Sequence, residues 1–111
     1  MRSAKSNWLA QRITAIILIP LTFWFLYFIM EIISYNHNQV LYFFKSSTNG
    51  FLFMLMLALM IYHGKLGLQI IIEDYVSNNL LQKRIIYLIN FLSLVLFFVS
   101  LISILTIKYL Y

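Results

Sequence analysis

One stretch of this 111-residue chain holds most of its chemistry-bearing side chains: Tyr62-His63-Gly64-Lys65-Leu66-Gly67-Leu68-Gln69-Ile70-Ile71-Ile72-Glu73-Asp74-Tyr75. An imidazole inside an apolar run is costly unless it is paired, so His63 is a functional candidate by default. At about 100° per residue, Gly67 falls about 40° from His63 and Asp74 about 20°, provided the helix persists that far. The three then share a face, with a rise of about 16 Å from His63, deep in the run, to Asp74 near its end. A neutral imidazole so placed can be an axial ligand to haem iron, a hydrogen-bonded group on a neighbouring helix, or a step in a proton relay. The spacing leaves all three open. Gly67 removes a side chain that would obstruct either a flat macrocycle or a closely packed helix. The second histidine, His37, lies in a different loop at the opposite end of the run, so a haem b with two imidazole ligands needs a second subunit.

Other residues near this stretch have both structural and chemical readings. Asp74-Tyr75 sits where the run meets water. A phenol beside a carboxylate there can hydrogen-bond a quinone carbonyl and help supply protons, or it can be an interfacial tyrosine followed by an ion-paired acid. Arg12, in Trp8-Leu9-Ala10-Gln11-Arg12-Ile13-Thr14-Ala15, is either a topology anchor or a guanidinium partner for haem propionates or Asp74. Lys65, on the face away from His63, must snorkel or find an acidic partner.

The elements that position these residues follow from composition. Apolar residues make up 63% of the chain and charged residues only 10%, against about 45–50% and about 25% in soluble domains. The mean hydropathy is +0.91. Residues 13–30, 46–64 and 85–107 contain no Asp, Glu, Lys or Arg, and about 20 helical residues cross a bilayer core. The chain reads as a single all-α membrane domain over residues 1–111, with three spans near 13–33, 51–72 and 85–107. Pro20 predicts a kink in the first span. Val40–Phe44, within loop 34–50, is too short to cross and is expected in the interface, and 73–84 is expected to be a charged loop. Asn90, Ser93, Ser100 and Ser103 form a small polar stripe suited to helix packing. Trp8 and Tyr35, Tyr42, Tyr75, Tyr87, Tyr109 and Tyr111 fit an interfacial belt.

Charge placement supplies the topology. Arg2, Lys5, Arg12, Lys83 and Arg84 lie on one side, and Lys45 and Lys108 on the other. The N-terminus and the 73–84 segment are therefore expected on the cytoplasmic or matrix side. The basic residues sit at the ends of apolar runs rather than in a patch with interleaved aromatics, which argues against nucleic-acid binding. With no cysteine, disulfides, thiolate metal sites and cysteine nucleophiles are excluded. No removable targeting segment is visible, so insertion as made is expected, in a bacterial cytoplasmic or an organellar inner membrane.

Gln11-Arg12-Ile13-Thr14-Ala15 at the start of span I, three spans, and His63-x3-Gly67-x6-Asp74-Tyr75 at the end of span II together resemble the small membrane-anchor subunits of succinate dehydrogenase, respiratory complex II. The resemblance covers most of the chain, and the twelve-residue spacing with its Asp-Tyr ending is its most specific part. It implies that His63 is an axial ligand to haem b, with the other ligand from the larger anchor subunit of the same complex. It implies that Tyr75 hydrogen-bonds ubiquinone beside Asp74, and that Arg12 lies close to the haem propionates and the quinone pocket. It also implies flavoprotein and iron–sulfur partner subunits that deliver electrons from succinate. Lys65 lies outside the family motif.

Two other classes compete. A structural accessory subunit of a respiratory complex shares the topology but makes His63 and Tyr75 dispensable. A small transporter would be expected to carry a membrane acid or a repeated half, and neither is evident beyond the end-of-span Glu31.

Overall fold

The computed structural model describes residues 4–111 and is helical almost throughout. The order is α1 (Ala4–Ile32), α2 (His37–Lys45), α3 (Ser47–Tyr75) and α4 (Asn79–Leu110). Three of these are long and apolar enough to cross a membrane, over Lys5–Ile32, Ser47–Tyr75 and Asn79–Leu110. Arg2, one of the charges used for topology, lies outside the described residues.

α3 touches every other helix: α1 on one flank, α4 on another, and α2 at its N-terminal end. The bundle is long and thin, 50 × 27 × 21 Å. At about 1.5 Å per residue, 29 residues of α3 span about 43 Å. That matches a bilayer with its headgroup layers, about 40–45 Å. Very little of the apolar surface is internal. Leu21, Phe43, Met56 and Leu66 are buried, and no residue of α4 is. Helices that are apolar all round have lipid or other helices as their solvent.

The helix ends lie further out than charge alone suggests. The chain between α3 and α4 is only residues 76–78, not a loop from 73 to 84. Gln69 Nε2 donates to Glu73 Oε1 one turn on, at 3.0 Å, which supports the last turns of α3. The Asn78 side chain then caps α4 by accepting from the Leu81 amide at 3.1 Å. Gln82 Nε2 reaches back to the carbonyls of Glu73 and Val76, at 3.2 and 3.1 Å, and closes the turn. The charges of this segment point to a loop, but Leu80, Leu81, Gln82, Lys83 and Arg84 are all good helix formers.

Residues 34–50 also contain a helix. Asn36 and Gln39 form a reciprocal capping box that starts α2. Its Phe43 is buried, packed edge-on against Phe28 of α1 and Phe44, with centroids 4.4 and 5.1 Å apart. Phe44 continues the contact to Phe53 of α3 at 5.0 Å. At this end Lys108 donates to Ser47 Oγ at 2.8 Å, and Lys45 to the carbonyl oxygen of Tyr111. α1 runs through Pro20 as one helix. The α4 stripe turns inward on itself: Ser93, Ser100 and Ser103 each donate to the carbonyl four residues back.

Asn78→Ala removes the side chain that caps α4. It should cost about 1 kcal/mol, seen as a lower melting temperature in detergent, whereas Asn78→Asp should retain most of the stability.

Candidate functional site

His63 faces α1, and its first partner is Thr14. The Thr14 Oγ1 to His63 Nδ1 distance is 2.9 Å, and Thr14 is buried. The same hydroxyl lies 2.8 Å from the Ala10 carbonyl and 3.0 Å from that of Gln11. A hydroxyl has one proton, and a carbonyl can only accept. Donation to the α1 backbone leaves an oxygen lone pair toward the ring, so hydrogen-bond logic assigns the imidazole proton to Nδ1. The Nε2 lone pair is then free. A fixed tautomer with one nitrogen tied to a neighbouring oxygen is the arrangement of a metal-ligating histidine.

Beside the ring is an apolar crevice of about 290 Å³, lined by His63 with Ala15, Leu18, Ile19, Thr22 and Phe23. These α1 residues recur at intervals of three and four, which makes one continuous stripe. Arg12 extends that stripe by one turn, three residues before Ala15. Its guanidinium lies over the Trp8 ring, 5.0 Å from the centroid, so its contact is with Trp8 rather than with Asp74.

The two glycines near His63 divide the roles expected of Gly67. A Cβ on Gly67 would come 3.3 Å from Gln11 Nε2, so this glycine leaves room for a side chain of α1. A Cβ on Gly64 would meet nothing within 4 Å. Gly64, the chain neighbour of His63, is exposed and faces open space outside that crevice, a position sequence reasoning passed over. Thr14 was also missed. Its signal was a hydroxyl in an apolar span, on the helix that had to cover the His63 face.

α3 continues through Asp74 to Tyr75, so the condition on the shared face of His63 and Asp74 is met. Asp74 and Tyr75 are exposed at the end of the helix, Tyr75 at 84%. His37 is the first residue of α2, at the other end of α3. Among the described residues, no three His, Cys, Asp or Glu side chains gather as a metal site. A haem iron does not require such a cluster, since it needs only one or two axial side chains. The free Nε2, the apolar crevice and the cation at its end fit such a group.

Residues 2–104 match the sequence model of the succinate dehydrogenase/fumarate reductase transmembrane subunits. The chain is 34% identical over 93 residues to a succinate dehydrogenase hydrophobic membrane anchor subunit of Rickettsia bellii, covering 84% of this chain and 74% of that one. The equivalent subunit of Rickettsia felis is 31% identical over 93 residues, covering 84% and 78%. That of Rickettsia prowazekii is 29% identical over 89 residues, covering 80% and 71%. No solved structure matches the chain significantly. With three apolar helices and a family match along nearly its whole length, the chain belongs to the succinate dehydrogenase/fumarate reductase transmembrane-subunit family, as a multi-pass, inner-membrane anchor subunit of succinate dehydrogenase.

Proposed function

We propose that this anchor subunit does more than hold its complex to the membrane: it supplies one axial ligand of a haem b and part of the ubiquinone-reduction site. The observation that carries the reading is the Thr14–His63 hydrogen bond, which leaves Nε2 as a free donor atom beside an apolar crevice. His63 would hold the iron, and Arg12, at the end of the same stripe, would face the propionates. Haem bound there would supply a one-electron redox centre. The second ligand belongs to the larger anchor subunit, because His37 is on α2 at the far end of α3.

Tyr75 and Asp74 form the proposed quinone-side wall. A phenol hydroxyl donates to a quinone carbonyl oxygen, and a neighbouring carboxylate can pass on the protons that reduction to the quinol consumes. Both side chains are exposed at the end of α3, as a surface to be covered by the iron–sulfur and flavoprotein subunits would be. Lys5, Arg12, Lys83 and Arg84 gather at that same end, while Lys45 and Lys108 lie at the other. The positive-inside rule then puts Tyr75 on the cytoplasmic or matrix side, where the soluble subunits would dock.

Five variants of the assembled complex test this reading. His63→Ala should abolish the b-type signal in a reduced-minus-oxidised spectrum of the purified complex; an unchanged spectrum overturns the ligation. Thr14→Val removes the acceptor for Nδ1–H and should weaken haem retention by about 10–100-fold, with Thr14→Ser restoring it. Gly64→Leu should leave the chain helical by circular dichroism but lower haem content or retention of the larger anchor subunit, because it fills open space beside His63. Tyr75→Phe should slow quinone reduction while succinate oxidation by an artificial acceptor is largely kept. Equal loss of both activities would mean an assembly defect instead.

A further inference from the structure

Lys65 has no part in the haem or quinone reading. It lies about 160° around α3 from His63, on the flank turned toward α4. There it lines a cavity of about 480 Å³ together with Lys83, Asn7, Gln69, Gln82 and Asn90. The wall carries two ammonium groups and no carboxylate. The Lys65 ammonium lies over the Tyr62 ring, 5.6 Å from its centroid. That contact offsets only part of the cost of a cation within a span. Asn90 presents a second unmet demand, since its Oδ1 is buried without a donor.

Depth identifies what could meet both demands. α3 is as long as a bilayer with its headgroups is thick, so its last turn or so lies in the headgroup layer. Lys83, the fifth residue of α4, sits near the apolar boundary. Lys65 is about 15 Å from the end of α3, and its four-carbon stem can bring the ammonium up toward that boundary. The cavity thus runs from the headgroup layer down to a cation in the apolar zone. Below it the outer face of α4 is apolar and uncovered, with Phe91, Leu94 and Phe98 more than half exposed.

We propose that this cavity binds the headgroup of an anionic phospholipid of the phosphatidylglycerol type. The phosphate lies between Lys65 and Lys83, a glycerol hydroxyl donates to Asn90 Oδ1, and the acyl chains run along α4. Two lysines in a wall that itself carries no carboxylate, with Glu73 behind it engaged by Gln69, favour a monoanion over a zwitterion, and the apolar α4 face favours a lipid over a free ion.

Native mass spectrometry of the whole complex after delipidation, paired with melting in nanodiscs, tests the site. The wild-type complex should retain phosphatidylglycerol over phosphatidylcholine and melt higher in discs that contain it. Lys65→Gln with Lys83→Gln should reduce that retention about 10- to 30-fold, and Lys65→Arg with Lys83→Arg should keep it. No lipid preference in the wild type overturns the proposal even if the double variant fails to fold. An equal gain from inorganic phosphate added to phosphatidylcholine discs overturns it in favour of a free anion. Loss of a partner subunit with lipid retention unchanged overturns it in favour of a partner carboxylate.

Discussion

The hydrogen bond between Thr14 and His63 links the two helices that form the candidate site, and it organises both. It joins α1 to α3 at a depth where no water is available to satisfy either group. On the α1 side the hydroxyl is held by two backbone carbonyls, so its direction is set before the ring arrives. On the α3 side His63 lines a crevice together with the stripe from Ala15 to Phe23. A histidine that merely needed a partner would be satisfied by one bond. The proposed haem ligation rests on the second nitrogen, which the tautomer assigned by the Thr14 bond leaves available beside an apolar crevice.

Two of the three glycines show how far residue spacing alone can reach. The 3.6-residue period placed His63, Gly67 and Asp74 on one face, and the unbroken α3 helix supports that placement. What period could not decide was which object each glycine accommodates. That depends on the approach of a second helix, a long-range property. The structure sets the Gln11 side chain of α1 beside Gly67 and open space beside Gly64. The three spans were legible because a run without charge has few alternatives in a membrane. The helix ends were less so, because residues 73–84 are charged yet helix-forming. Their boundary is set by the Asn78 cap and by Gln82, which binds back across the turn. The α2 helix was hidden for a similar reason: its start is written in Asn36 and Gln39 rather than in hydrophobicity.

The central place of α3 explains how one short helix can carry two different surfaces. One flank is closed by α1 and holds the imidazole; another meets α4 and holds Lys65 in a cavity of mixed lining. A charged side chain close to a one-electron centre would shift its potential through a poorly screening medium. Turning Lys65 about 160° from His63 puts the thickness of the helix between them. The departure of Lys65 from the family motif is therefore compatible with a haem on the other side.

The small interior of the chain bears on the same question. Among the described residues, four buried apolar side chains, and none from α4, do not make a self-sufficient core. In a bilayer the hydrophobic effect does not drive helix against helix, so association rests on shape, polar contacts and bound groups. The Thr14–His63 bond ties α1 to α3, while the Gln82 clasp and the Lys108–Ser47 contact fix α4 at its two ends. The crevice beside His63 has no equivalent closure from within the described residues. A single imidazole also cannot complete a six-coordinate haem iron. On the proposed haem reading the same face lacks both a wall and a ligand, and one helix from a second subunit, carrying one histidine, would provide the two together.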